Sequence, residues 1–77
     1  MTHYHYSAIT KDGEMVEMDG VVCADGWFGV YDHWGDGGNE GDRHITKFKT
    51  QRDAFLWVYD KLKRIHGEIT PMVFAYY

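Results

Sequence analysis

His3 and His5 stand two residues apart, and on a β-strand that spacing projects both imidazoles from one face, where with His33 or His44 they could ligate a metal ion. Surface histidines on an exposed sheet face are the expectation, with no bound metal. Cys23 closes the apolar run Val21-Val22-Cys23, where a thiol behaves as a small buried hydrophobe and not as a nucleophile. It is the single cysteine of the chain, so it forms neither an intrachain disulfide nor a paired-cysteine zinc site. The stretch 35–42, GDGGNEGD, has the composition of a calcium loop, yet it lacks the EF-hand spacing and the G-G-x-G-x-D repeat. As a phosphate cradle it fails too, since Asp36, Glu40 and Asp42 would repel an anion and no G-K-[ST] follows. No Ser, His and acid stand in a known local arrangement. These residues point away from catalysis, metal and cofactor, and toward a protein that works by binding.

The elements that must position these groups are short. Tyr4, Tyr6 and Ala8 alternate with His3, His5 and Ser7, the pattern of a half-buried strand. Asp-Gly at 12–13, 19–20, 25–26 and 36–37 marks turns, and two-residue hairpin turns suit that pair because both central residues must accept positive φ. A second strand is expected near Glu14 to Met18, interrupted at Gly20 by a bulge or turn before Val21, and a third over Trp27 to Trp34. Residues 35–42 read as an exposed loop, and Arg43 to Lys49 alternates again. Thr50 with Asp53 three residues on is an N-cap signal, and Gly67 follows the last periodic residue, so the spacing predicts a helix over 51–66. On a helical wheel Phe55, Val58, Tyr59, Leu62 and Ile65 share one apolar stripe, while Trp57 falls about 200° from Phe55, beside Asp53, Asp60 and Arg64. Trp57 is therefore expected to be an exposed binding anchor. Residues 68–77 are β-prone, with Pro71 suited to an edge strand or a strand start. The expected fold is α+β: a small antiparallel sheet of four to five strands with one helix packed across it, in the order β-β-β-β-α-β, within a single domain over 1–77.

Size and charge limit the function classes. A chain of 77 residues forms one domain with little surplus core, and without a disulfide framework its 17% aromatic content must supply the burial. No leader pattern and no apolar run of spanning length is present, so a cytoplasmic, reduced protein with no membrane partner is the expectation. The net charge of −4 divides unevenly. Up to Asp42 there are nine acids against Lys11, a balance of −8, and from Arg43 onward seven bases against Asp53, Asp60 and Glu68, a balance of +4.

Trp34-Gly35 at the end of a strand, a glycine-rich turn, Phe48 closing the next strand, and a helix carrying Ala54, Phe55 and Lys61 before Gly67 together resemble the WGR domain of DNA-damage polymerases and small bacterial proteins. The resemblance covers residues 27–67. It implies a small antiparallel sheet with one helix, and a role in binding nucleic acid or in contacts between domains. The family's third signature residue is arginine and here it is Asp36, a change of sign that counts against the nucleic-acid role.

The function expected from these observations is a non-catalytic protein-binding module, of the kind a phage or mobile element uses as a small acidic inhibitor or accessory protein of a nucleic-acid enzyme. Asp36, Glu40, Asp42 and Trp57 are its expected contact residues, facing a basic surface of another protein. The alternative is nucleic-acid binding through Arg43, Lys47, Lys49, Arg52, Lys61 and Arg64, with an aromatic such as Trp57 stacking on a base. A homo-oligomer that completes its core with aromatic surface is a third possibility.

Overall fold

The computed structural model describes residues 2–33 and 43–76. Strands β1 (Thr2–Ile9), β2 (Met15–Val22), β3 (Phe28–His33) and β4 (Arg43–Phe48) form an antiparallel meander. Helix α1 (Gln51–His66) follows, and β5 (Val73–Tyr76) returns to pair antiparallel with β1. The sheet order is β4-β3-β2-β1-β5, which leaves β4 and β5 at the two edges. This is the α+β fold, with the β-β-β-β-α-β order, that the alternations and the cap signals lead one to expect.

Both hairpins of the first three strands turn on Asp-Gly, but through three-residue loops. The Gly13 N–H donates to the Thr10 carbonyl at 3.0 Å and the Thr10 N–H to the Glu14 carbonyl at 2.8 Å, and Cys23, Gly26 and Trp27 repeat the arrangement. Only the glycines, each at φ 86°, are left-handed, and no residue other than glycine has positive φ among the described residues. A type I turn followed by one left-handed glycine thus replaces the expected two-residue turn. Asp19-Gly20 is no turn at all. Gly20 sits inside β2, paired with Tyr4 on one side and Val30 on the other.

The reason for that glycine is the core. Tyr4 and Tyr6 are fully buried, and with Ala8, Val30 and Met72 they form the floor on which Ala54, Val58 and Leu62 of the helix rest. The Tyr4 ring lies across Gly20, where a Cβ would stand 2.5 Å from its Cε1 carbon, and its hydroxyl donates to the Gly29 carbonyl at 2.7 Å. The Tyr6 ring meets Tyr4 edge-on with centroids 5.6 Å apart, touches Phe55 at 5.8 Å, and donates from its hydroxyl to the Gln51 carbonyl at 3.5 Å. A core of rings in a chain this small thus works by giving each buried hydroxyl a backbone acceptor.

The helix starts where Thr50 accepts from the Asp53 N–H at 3.1 Å and ends where the Gly67 N–H donates to the Lys63 carbonyl at 2.8 Å. Its buried line is Ala54, Val58, Leu62. Ile65 has that phase but is 60% exposed, because it belongs to the last turn, which overhangs a cleft beside Met18 of β2. Trp57 departs from expectation in the other direction. It is half-buried and packs on Phe48 with ring centroids 5.6 Å apart.

Burial raises the Tyr6 phenol to about 12 and pushes Tyr4 higher still, while in the unfolded chain both ionise near the ordinary value of about 10. The folded state therefore holds protons that the unfolded state has lost. Stability should be fully present below about pH 10 and should fall as pH rises toward about 12. Denaturant midpoints measured across this window check it. A Tyr4→Phe variant should show a shallower alkaline slope, and an unchanged slope would contradict the burial of that phenol.

Candidate functional site

The helix covers one face of the sheet; among the described residues no helix covers the other, where Val21, paired with His3 and Gly29, is nonetheless only 2% exposed while the β1–β5 end carries exposed side chains. Strand alternation assigns Tyr4, Tyr6 and Ala8 to the covered face, and His3, His5, Ser7 and Ile9 of β1 to the open one. Cross-strand pairing then sets Asp19 beside His5, Glu17 beside Ser7 and Met15 beside Ile9 on that open face, while β5 adds Ala75 beside His5 and Val73 beside Ser7. Ile45 of β4 leans over Gly29 on the same side, within 3.0 Å of where a Gly29 Cβ would stand. Ile9, Met15, Ile45 and Val73 are 40, 66, 46 and 61% exposed. Three of them, Met15, Ile9 and Val73, form a stripe across β2, β1 and β5, because Ile9 is opposite Met15 and diagonal to Val73. Glu17 and Asp19 border the stripe, both exposed.

Of the expected site residues, the described ones lie on β4, just after it and on α1. Asp36, Glu40 and Asp42 lie outside the described residues, as do Trp34 and Gly35. Trp57 is no free anchor: the Lys61 ammonium lies 5.1 Å above its ring and Phe48 lies against it. Arg43 opens β4, paired with His33 of β3. Lys47 extends from the open face and pairs with Asp25 at 3.2 Å. The Trp27 N–H, donating to Asp25 at 3.0 Å, holds that carboxyl below its usual range, and Lys47 adds to the effect. This ion pair sets one acid of the first half of the sequence against one base of the second. Lys49 covers Trp27 at 5.7 Å, and Arg64 is bonded to Asp60 along the helix. Arg52 lies on the far flank of the helix from Lys61, about 180° round the wheel. Lys47, Lys49, Arg52, Lys61 and Arg64 therefore do not make one surface.

The remaining groups add little chemistry. His3 and His5 are on β1, with β2 between them and the β3 that carries His33. Cys23 is half-buried at a hairpin, more accessible than its apolar neighbours suggest. A cleft between α1 and β2, lined by Met18, Leu62, Ile65, Lys61 and His66 among others, has a volume of about 210 Å³. That is below the usual range of about 300–1,000 Å³ for small-molecule sites. Among the described residues, no helix is long and apolar enough to cross a membrane. Comparison with protein-family models, curated proteins and solved structures finds no significant match to this chain.

Proposed function

We propose that the chain is a non-catalytic protein-binding module that engages a basic partner surface, such as that of a nucleic-acid enzyme, in the manner of a small inhibitor or accessory protein. The observation that carries this reading is the acid-bordered apolar stripe on the helix-free face. Met15, Ile9 and Val73 offer desolvation area, and Glu17 and Asp19 offer complementary charge at its border. In such an arrangement the apolar centre holds the partner and the acids speed its approach. Nucleic acid as the ligand has weaker support, since Lys47 and Arg64 are engaged with Asp25 and Asp60 and the bases occupy different flanks.

Affinity capture from host-cell lysate tests the reading when wild type is compared with an Ile9→Asp, Met15→Asp double variant and a Glu17→Lys, Asp19→Lys double variant. The first variant is expected to lose the captured protein, and the second to lose most of it at low salt and less at high salt. Capture unaffected by both variants would exclude this face. Nucleic acid retained with a steep salt dependence would favour the alternative.

A further inference from the structure

We infer that the β5 edge is a self-association site, at which two copies of the chain pair β5 against β5 in antiparallel fashion to make one continuous ten-stranded sheet. The two edges of the sheet are unlike. The β4 edge, Arg43–Phe48, is RHITKF, carries Arg43 and Lys47, and is followed by Lys49. Positive charges along an edge strand repel a second copy of the same edge and are a common guard against sheet extension. The β5 edge, Val73–Tyr76, is VFAY, with no charged residue, no proline and no glycine. Among the described residues, β5 pairs with β1 alone, so its outer row of backbone groups faces away from the sheet.

Self-complementarity is what selects a second copy as the occupant. A two-fold axis sets each residue against itself or its near neighbours, so a charge close to the axis would meet its own image. In β5 no such conflict arises, and an axis through Ala75 puts the smallest side chain of the strand at the closest approach. That register places Phe74 directly opposite Tyr76 of the second copy on the helix-bearing face. Both rings already belong to an aromatic network there: Phe74 lies 4.9 Å from Tyr76 and 5.3 Å from Tyr4 between centroids. Tyr76 is 56% and Val73 61% exposed in the single copy, and pairing would cover both. Four residues make a short interface, well under the roughly 1,000 Å² of a stable complex, so the dimer should be weak and concentration-dependent.

Sedimentation velocity on the purified protein alone, from low micromolar to near-millimolar concentration, tests this independently of any captured partner. The weight-average mass should rise from one chain toward two. Val73→Lys and Ala75→Lys should each hold the protein monomeric over the whole range, while Ile45→Lys on the open face near the opposite edge should dimerise like wild type. Circular dichroism at the lowest concentration confirms that each variant is folded. Should a lysine variant misfold, concentration-dependent amide exchange of the wild type decides the matter, with slowing expected at 73–76. A wild-type mass that stays at one chain, or lysine variants that dimerise as wild type does, would overturn the inference, as would protection gained at β4 and not at β5.

Discussion

Gly20→Ala should cost about 3 kcal/mol or more, although it adds a single methyl group to a strand that pairs normally on both sides. The added Cβ would stand 2.5 Å from Tyr4 Cε1 and 2.5 Å from the Gly29 carbonyl oxygen. The first obstacle is a ring that is fully buried and held by its own hydrogen bond to Gly29, so moving it also leaves a phenol unsatisfied, at about 1–3 kcal/mol. The second is backbone, and it yields only if β2 and β3 separate. A domain of 77 residues has roughly 4–12 kcal/mol in all. Thermal melting should therefore show either no cooperative transition or a midpoint lowered by about 12 °C or more. Gly29→Ala is the internal comparison, because its Cβ would meet the side-chain atoms Ile45 Cγ2 at 3.0 Å and Cys23 Sγ at 3.2 Å, with the nearest backbone atom, the Val21 carbonyl oxygen, at an ordinary 3.4 Å. Its midpoint should fall less. Equal and small losses in the two variants would mean that the Tyr4 ring does not lie across Gly20.

The same glycine marks the boundary of what local sequence encodes. Asp-Gly at 12–13 and 25–26 makes turns, and at 19–20 the identical pair lies within a strand, because Tyr4, sixteen positions upstream, needs the space above Gly20. Local chemistry is the same in all three places, and only the pairing of β1 with β2 distinguishes them. By contrast the helix is written in its own residues. Thr50, Asp53 and Gly67 act within three or four positions of the groups they cap, and the observed bounds coincide with the expected 51–66. The alternation of Tyr4, Tyr6 and Ala8 likewise assigns its face correctly, since period two is a property of the strand itself.

The candidate site was far less legible. The open face owes its apolar stripe to the strand order β2-β1-β5, and the return of β5 to the far side of β1 follows from no pattern within either strand. Trp57 was misplaced for a subtler reason. Drawn from Phe55, the helical wheel sets the apolar centre near the large side chains, whereas the helix approaches the sheet closely along Ala54, Val58 and Leu62. That puts the buried centre at Val58, about 60° round from Phe55, with Trp57 and Tyr59 about 100° to either side of it as half-buried flanks. A small apolar residue on the buried line carries the signal, and Ala54, fully buried, is that residue.

Leu62→Ala should then lower stability by about 2–5 kcal/mol, and Ile65→Ala, one turn on, by about 0.5 kcal/mol or less. Both side chains are apolar and share a helical phase. Leu62 is 2% exposed within the cluster that holds Val58, Tyr6 and Met72, so truncation leaves a cavity that close-packed neighbours fill only in part. Ile65 is 60% exposed at the rim of the cleft beside β2, so its methyl groups pass from water to water with little change. Denaturant unfolding of the two variants under identical conditions measures the difference directly. Comparable losses would place Ile65 in the core and extend the sheet's support of the helix through its last turn. A small loss at Leu62 would mean that the buried line does not run along Ala54, Val58 and Leu62, and the flanking positions of Trp57 and Tyr59 would have to be reassigned with it.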